Sequence, residues 1–408
     1  MRILYVTNGF PYPLTSGYLR HYFLIKELAE RHAVSLLSIV KSDFLPEHAA
    51  ALEPFTERVL TFQSAGRSRS LSRKAASRLA SLTPGRGGDA AVRGLGQAAG
   101  ELAREEPFDV VLASGKRTYP ALASVPGIPV VADMCDATSS RIRGSLHFAR
   151  RSRLPVLLLD YAQVRRIERR LTSEAAHVLF ASCRDRDALL GGRDGRRAAS
   201  TVVPNGVELD FWRRGASELG RDHVVLTGAM DYPPNEDAAL FLIEAVMPLV
   251  RDSAPGARLS IVGRDPTPRL REAGQTPGVT VTGFVDDVRP YLESASVFAA
   301  PLRFGAGIQN KLLEAMAMEV PVVASALAAD GLRTDDGREP PVAVAGGARA
   351  FADRIVELLR RAGADPTPDR DGRRYVEEHF VWERSGEKLE QVLERVAGAA
   401  RAAGVAGR

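Results

Sequence analysis

Two glycines, a lysine and a glutamate stand close together in the stretch RFGAGIQNKLLEAMAMEVPVVAS, at positions 303–325. Gly305 and Gly307 leave no side chain between the backbone and an approaching ligand, and a helix after them would offer free N–H groups and a partial positive charge. Lys311 would add a full positive charge one turn into that helix, and Glu314 lies three positions further along an adjoining face. This combination of residues suits the binding of a phosphate group.

A plain surface helix with an incidental lysine and glutamate would also fit this stretch. The composition gives position 311 some weight, because the chain contains six lysines and 49 arginines. A lysine at position 311 therefore departs from the usual choice of arginine as the basic residue in this chain.

Length and composition predict a globular protein of more than one domain. A chain of 408 residues suggests two or three domains, and 45% hydrophobic with 26% charged residues is ordinary for globular proteins. Cys135 and Cys183 fit a reduced compartment and are too few for a four-cysteine zinc site. No secretory leader pattern and no apolar run of about 20 residues is present. We therefore predict a cytoplasmic protein.

The charge pattern argues against nucleic acid as a partner. The net charge is +5, but basic and acidic residues are interleaved and aromatic residues make up only 6% of the chain. Two segments, 66–86 and 147–171, are locally basic. They are interpreted either as a solvated loop and surface helix, or as a surface that rests on anionic lipid or accepts an anionic substrate. Peripheral contact with the inner face of a membrane thus stays an open alternative.

Short apolar runs alternate with stretches of helical period, which predicts βα units and parallel sheets. The runs form two series, at 2–7, 33–40, 109–114, 129–134 and 177–182, then at 223–228, 258–263, 279–283, 296–301 and 320–325. A turn-rich linker separates the two series near 205–218. The fold class is therefore predicted as α/β with two doubly wound domains, which bind ligands outside the carboxyl ends of their strands.

Several motifs resemble the retaining nucleotide-sugar glycosyltransferases of family four, over nearly the whole chain and most clearly in its second half. LLEAMAMEVPVVAS is similar to the second half of that family's paired-glutamate motif, VVPNGVELDFW to its interdomain motif, and YPLTSGYLR to its first glycine loop. The variant GAGIxNKxLEAMA is closest to sugar transferases of exopolysaccharide-type systems. The resemblance implies the GT-B fold, in which two Rossmann-like domains face each other across a cleft.

The resemblance also implies domain bounds and an activity. Residues 1–204 would bind the acceptor, 205–376 would bind the nucleotide sugar, and 377–408 would form a helix packing back across the domains. A sugar would pass from a nucleoside-diphosphate sugar to a hydroxyl of a glycan, lipid-linked or small-molecule acceptor, with retention and without a metal or cofactor. The alternatives are a nucleotide-sugar 2-epimerase of the same architecture and a non-catalytic nucleotide-sugar-binding partner of another enzyme.

The resemblance assigns roles to individual residues. The catalytic candidates are Asp136, Arg20 and Lys311, although the position of Asp136 between a strand and ATSS fits a helix cap equally well. The donor-binding candidates are Gly17, Gly228, Asp231, Asn235, Arg264, Phe284, Val285, Arg303, Gly305, Ala306, Gly307, Ile308, Lys311 and Glu314. Three departures from the family pattern are present: Ala306 replaces the first glutamate, the loop AMDYPPNEDA lacks the usual basic residues, and ADMCDATSS offers Asp133 and Asp136 in place of a histidine.

Two further patterns imitate functional motifs. GLGQAA at 94–99 matches G-x-G-x-x-A, but no strand-like run precedes it, so it is not interpreted as a dinucleotide fingerprint. Asp286 and Asp287 precede a helical run and are interpreted as capping residues rather than as metal ligands. The sequence therefore predicts no metal site.

Overall fold

The computed structural model describes residues 1–14, 18–41, 44–64, 90–125, 127–149, 151–191, 199–215 and 218–406. These residues form two compact units. The first unit contains 1–181, 186–203 and 382–408, and the second contains 182–185 and 204–381.

The first unit has a parallel sheet of seven strands. They are β1 (Arg2–Thr7), β2 (Ala33–Val40), β3 (Arg58–Gln63), β4 (Val110–Ser114), β5 (Val130–Asp133), β6 (His177–Phe180) and β7 (Ser200–Val202), in the order β3-β2-β1-β4-β5-β6-β7. Its helices are α1 (Leu19–Ala29), α2 (Glu47–Ala50), α3 (Ala90–Glu105), α4 (Thr138–Ser145), α5 (Leu154–Glu174), α6 (Cys183–Leu190, shared with the second unit) and, from the end of the chain, α15 (Trp382–Ala406). Short 3-10 turns lie at Glu53–Phe55, Tyr119–Ser124, Leu146–Phe148 and Arg151–Arg153.

Both faces of the first sheet are covered, because successive side chains of a strand point to opposite faces. Ile3 and Tyr5 of β1 belong to a core that includes residues of α1 and α15, whereas Leu4 and Val6 belong to a second core with α3. Trp382, the first residue of α15, stacks on the Phe23 ring of α1 with centroids 4.7 Å apart. The end of the chain therefore completes the core begun by its first strand.

The second unit has a parallel sheet of six strands. They are β8 (His223–Thr227), β9 (Arg258–Val262), β10 (Val279–Val281), β11 (Val297–Ala300), β12 (Val322–Ala324) and β13 (Ala343–Val344), in the order β10-β9-β8-β11-β12-β13. Its helices are α7 (Pro233–Phe241), α8 (Met247–Ser253), α9 (Pro268–Ala273), α10 (Arg289–Glu293), α11 (Asn310–Ala317), α12 (Ala326–Asp330), α13 (Gly347–Ala364) and α14 (Arg370–His379), and a π-helical turn at Leu242–Val246 joins α7 to α8.

Each sheet has one place where the strand order reverses, and this place lies beside its first strand. The neighbours at the reversal are β1 and β4 in the first unit and β8 and β11 in the second. In open α/β sheets such a reversal opens a crevice at the carboxyl ends of the strands, where ligands bind. The predicted fold class of two doubly wound α/β units is confirmed. The residues that follow these strands are therefore the candidates for a ligand-binding site.

Candidate functional site

Arg20 and Asp133 form a buried ion pair in the first unit. The Arg20 side chain is 4% exposed, and its Nε donates to Asp133 Oδ2 at 2.9 Å. Burial acts to raise the pKa of the Asp133 carboxyl, but the charge of Arg20 holds this pKa below its usual value. The catalytic assignment of Arg20 stays a prediction, and its guanidinium already has a charged partner within the protein.

Asp136 follows β5 and has a charged partner as well. Lys116 Nζ donates to Asp136 Oδ1 at 3.2 Å and to Thr138 Oγ1 at 2.7 Å, and Thr138 Oγ1 donates to Asp136 Oδ1 at 2.5 Å. Burial acts to raise the pKa of Asp136, but Lys116 and Thr138 hold it below its usual value. Asp136 does not cap α4, whose N-cap residue is Ala137 without a side-chain hydrogen bond. Lys116, which the sequence did not single out, therefore sets the charge and position of this carboxylate.

Two glycines meet beside the reversal in the second unit, after the neighbouring strands β8 and β9. Gly228 follows β8 and Gly263 follows β9, and each has φ of +149°. A Cβ on Gly263 would lie 1.8 Å from the Gly228 carbonyl oxygen, and a Cβ on Gly228 would lie 2.6 Å from Nδ2 of Asn235. Only glycine permits this approach, which places the two loops and the start of α7 in contact.

Lys311 points to this same place from the first turn of α11. Its Nζ donates a hydrogen bond to Oδ1 of Asn235, and in the described part of the chain this amide is its only hydrogen-bond partner. Asn235 in turn donates from Nδ2 to the Ala229 carbonyl at 3.0 Å. Burial lowers the pKa of Lys311 to about 8, and Glu314 only partly opposes this shift. The ammonium is therefore poorly stabilised in the absence of a ligand.

Glu314 is partly buried one turn further along α11. Among the described residues, no group donates a hydrogen bond to its carboxylate and no cation pairs with it at contact distance. Burial raises the pKa of Glu314 to about 7, and the charge of Lys311 acts in the opposite direction. Lys311 and Glu314 are thus two ionisable groups whose burial is not compensated by contacts within the described structure.

The glycine loop before α11 is fixed by residues at the start of α6. Gly307 has φ of +74°; its N–H donates to Asp185 Oδ2 at 2.8 Å and its carbonyl accepts from Arg184 at 3.0 Å. Arg184 also donates to the Leu327 carbonyl. These contacts lie within the second unit, to which residues 182–185 belong. Sequence reasoning missed Arg184 and Asp185, since no pattern links a loop at 305–307 to residues more than 100 positions earlier.

A further contact fixes the start of α11. Asn205 donates from Nδ2 to Asn310 Oδ1 at 2.8 Å, directly before Lys311. Asn205 belongs to the PNG motif that the sequence assigned only to a linker. The motif therefore contributes to the position of the predicted phosphate-binding helix.

The structure brings some predicted donor-binding residues together and pairs others elsewhere. Gly228, Asn235 and Lys311 are in contact. Arg303 instead pairs with Asp237 and lies over the Phe241 ring, with 5.1 Å between its Cζ and the ring centroid. Arg264 pairs with its neighbour Asp265 at 2.8 Å, so Arg264 and Arg303, like Arg20 in the first unit, already have carboxylate partners.

The remaining predicted donor-binding residues differ in their exposure to solvent. Asp231 and Phe284 are exposed, Gly305, Ile308 and Val285 are partly exposed, and Ala306 is buried. Gly17 lies outside the described residues. Gly305 has room for a side chain, because a Cβ there would meet only ordinary contacts at 3.8 Å or more. The conformational requirement for glycine in this loop therefore falls on Gly307.

Chemically, the second unit offers one cation, one carboxylate and the amino end of a helix at the carboxyl edge of its sheet. Such an arrangement can bind a phosphate at the helix end and accept hydrogen bonds from hydroxyl groups at the carboxylate. Among the described residues, no group of three or more His, Cys, Asp or Glu could hold a metal ion. Within the same part of the chain, no helix is long and apolar enough to cross a bilayer.

Comparison with solved structures defines the class of fold as GT-B. The chain matches Anabaena HepE in complex with UDP and glucose with a TM-score of 0.67, at 16% identity, over 97% of this chain and 100% of that one. It matches sucrose-phosphate synthase from Thermosynechococcus elongatus with a TM-score of 0.72, at 17% identity, over 98% and 99% of the two chains. The predicted GT-B class is confirmed.

Comparison of sequences points to glycosyl transferases. Residues 221–361 match the model of the family described as "Glycosyl transferases group 1". The chain is 34% identical over 167 residues to phosphatidyl-myo-inositol mannosyltransferase of Mycobacterium leprae, a match that covers 39% of this chain and 44% of that protein. The matched part thus spans less than half the length of this curated relative. The family match contains Gly228, Asn235, Lys311 and Glu314.

Proposed function

We propose that the protein is a retaining glycosyltransferase that moves a sugar from a nucleoside-diphosphate sugar to an acceptor hydroxyl. The observation that carries the proposal is the pair Lys311 and Glu314, which are partly buried on one turn of α11 at the strand-order reversal of the second sheet. They lie inside the segment that matches the group 1 glycosyl transferases. The resemblance of GAGIxNKxLEAMA supports assignment of the enzyme to family four, near transferases of exopolysaccharide-type systems.

Lys311 is assigned to the diphosphate. A departing nucleoside diphosphate gains negative charge as its bond to the anomeric carbon breaks, and fixed donors stabilise that charge best. Lys311 contacts a neutral amide rather than a carboxylate, so its charge is available to a ligand. The first turn of α11 adds backbone N–H groups, and the proposal uses this cation and helix end instead of a metal ion.

Glu314 is assigned to the ribose of the donor. A carboxylate can accept two hydrogen bonds from a vicinal diol, and that of Glu314 accepts none from the described residues. Binding of a diol would offset the cost of burying this charge and lower its pKa from about 7. The base of the nucleotide would then lie against Gly283 and Phe284, where the backbone turns with φ of +73°.

The first unit is assigned to the acceptor, with Asp136 as the carboxylate that orients or deprotonates the acceptor hydroxyl. Its lowered pKa keeps it ionised at neutral pH, which suits a carboxylate that accepts a hydrogen bond from the acceptor hydroxyl and orients it. A sugar, lipid-linked or small-molecule hydroxyl compound remains the acceptor class. The mannosyltransferase name of the curated relative makes a mannose donor worth testing.

A ligand screen followed by an assay tests the proposal. A nucleotide at 100 times its dissociation constant adds about 2.7 kcal/mol to the stability of the native state, so one of UDP, GDP, TDP and ADP should raise Tm clearly. Glu314→Gln should reduce the preference for the ribonucleotide over its 2′-deoxy form, while Glu319→Gln, on the segment just after α11 and outside the proposed site, should not.

The outcome of the assay separates the alternatives. A transferase should release the nucleoside diphosphate from its sugar nucleotide slowly without an acceptor and rapidly with one. An altered sugar nucleotide formed without an acceptor would indicate a 2-epimerase, and nucleotide binding without any turnover would indicate a binding partner. Failure of all four nucleotides to bind would contradict the proposal itself.

A further inference from the structure

An exposed apolar patch lies at the start of α5. Phe148, Val156, Leu158 and Leu159 are 46%, 40%, 52% and 64% exposed. They account for four of the nine large hydrophobic side chains found exposed among the described residues, within a segment of 12 positions. Single exposed apolar residues are normal, but a group of them this close together in the sequence, in the turn at Phe148 and the first turns of α5, marks a surface that contacts something apolar.

Arginines surround this apolar patch. Arg151 and Arg153 lie in the turn before α5, and Arg166 and Arg169 follow on the exposed face of the helix, each at an exposed position. Helical spacing places Leu159 and Arg166 on one face, two turns apart. The acidic residues of α5 are buried, partly buried or paired: Glu168 is buried, Asp160 is partly buried, and Glu174 accepts hydrogen bonds from Arg170 and Tyr119.

The charge distribution favours lipid over a second copy of this chain. Packing α5 against α5 of another copy would bring arginines against arginines in both the parallel and the antiparallel orientation, because both ends of the face are basic. An anionic bilayer offers negative charge at its surface and apolar chains just below it, which matches both parts of the patch.

We propose that the apolar patch and its arginines form a docking surface for an anionic phospholipid bilayer. Leu158, Leu159 and Phe148 insert at the level of the acyl boundary while the arginines contact the lipid phosphates. Because α5 connects β5 to the parallel strand β6, its first turns lie at the carboxyl edge of the first sheet, where Asp136 follows β5. The bilayer would thus lie on the side of the unit that carries the proposed acceptor carboxylate.

Vesicle co-sedimentation with the full-length protein tests this surface. The protein should bind vesicles containing phosphatidylglycerol and should bind phosphatidylcholine vesicles much more weakly. Raising the salt from about 0.1 M to about 1 M shortens the Debye length from about 10 Å to about 3 Å and should release most of the bound protein. Arg166→Gln with Arg169→Gln should weaken binding about 25-fold, since each basic residue near an anionic surface contributes about fivefold.

Loss of the apolar groups tests the insertion step. Leu158→Ser with Leu159→Ser should weaken vesicle binding at least about tenfold, because their apolar area would no longer leave water. Leu45→Ser removes an exposed leucine elsewhere in the first unit, and Arg360→Gln with Arg361→Gln removes two exposed arginines of α13; neither control should change binding. Circular dichroism of each variant verifies that it is folded.

Several results would overturn the proposal. They are equal binding to phosphatidylcholine and phosphatidylglycerol vesicles, no vesicle binding by the wild-type protein, or wild-type affinity in both α5 variants. A wild-type dimer that the leucine variant converts to a monomer, without vesicle binding by either form, would assign the patch to a second copy instead.

Discussion

The carboxyl edges of the two sheets differ in how their charged groups are compensated. In the first unit, Arg20 pairs with Asp133 and Lys116 pairs with Asp136, and both carboxyl pKa values lie below their usual value. In the second unit, Lys311 has one hydrogen-bond partner among the described residues, the amide of Asn235, and Glu314 has no hydrogen-bond or ion-pair partner at contact distance among them. Their pKa values shift in the direction that disfavours charge, to about 8 and about 7.

This difference indicates different tasks for the two edges. Paired charges stabilise the unit that contains them and keep a carboxylate ionised for use near neutral pH. Unpaired, partly buried charges lower the stability of the free protein. Binding of a ligand of suitable charge restores that stability. The second edge therefore has the charge arrangement expected of a binding site for a charged ligand.

The largest effect is expected for the buried ion pair of the first unit. Arg20→Ala leaves the Asp133 carboxylate buried without its cation, and breaking one partner of such a pair costs about 3–5 kcal/mol. Urea unfolding at neutral pH should show this loss. The double variant with Asp133→Ala should recover part of it, and a single variant as stable as the wild type would show that the pair is not a structural element.

The second largest effect is expected for loss of the Lys311 charge, which should lower the rate of catalysis. Lys311→Ala should lower kcat by about 100- to 1000-fold, the scale for removing one preorganised donor to a leaving group. Nucleotide binding by the wild type should weaken with salt more steeply than binding by the variant. Lys388→Ala removes an exposed lysine of α15 and is the matched control. Equal kcat values for Lys311→Ala and the control would remove Lys311 from the mechanism.

Glu314→Gln should stabilise the unliganded protein, which is the opposite of the expected result for a paired carboxylate. The pKa of Glu314 is raised to about 7 from an unfolded value of 4.5, so the native state binds a proton that the unfolded state has lost between these pH values. Stability therefore falls as pH rises from 4.5 to 7. The variant should gain about 1–3 kcal/mol at pH 8 and nothing at pH 4.

Denaturant titrations of both proteins at the two pH values measure this difference, with Glu319→Gln as the control on the segment after α11. A destabilised Glu314→Gln variant at pH 8 would mean that the carboxylate is stabilised in the free protein. Saturating nucleotide should reverse the order of stability, because it binds the wild-type carboxylate.

The smallest effect is expected for Asp136→Asn, whose carboxylate is about one third exposed and paired with Lys116. The variant should lose about 1 kcal/mol or less at neutral pH. Because the folded-state pKa of Asp136 is lowered, this contribution is present above the unfolded pKa and is lost as the pH falls through the folded value. Transfer should fall while nucleotide affinity is unchanged; normal transfer would leave Asp136 with a structural role only.

The sequence predicted the central strands well and the edge strands poorly. All ten predicted runs correspond to strands, within a few residues at their ends. The three missed strands, β3, β7 and β13, lie at the edges of the two sheets. Edge strands are not buried on both faces, so they lack the continuous apolar run that marks an interior parallel strand. The residues of β3 are all exposed or partly exposed, in contrast to the buried β4.

Prediction of the site was limited in a different way. Helical spacing placed Lys311 and Glu314 on one turn, and family resemblance selected Asn235, which contacts Lys311. Sequence could not show that Arg303 pairs with Asp237, because either residue alone would fit a binding site. The pairing of Lys116 with Asp136 could not be predicted either, because the two residues follow different strands. Pairing between loops depends on strand order, which short motifs do not encode.

The contribution of α15 to the first unit has a consequence for protein synthesis. Residues Leu389, Val392 and Leu393 of α15 are buried in the same core as β1 and α1. The ribosome makes α1 before the second unit and α15 after it, and at about 5–20 residues per second the interval between the two helices is about 20–70 s. The second unit can therefore complete its core first, and the apolar face of α1 stays uncovered until α15 has been made. The first unit is thus begun before the second unit but becomes native after it, and its uncovered core face is the part that a ribosome-associated chaperone would protect.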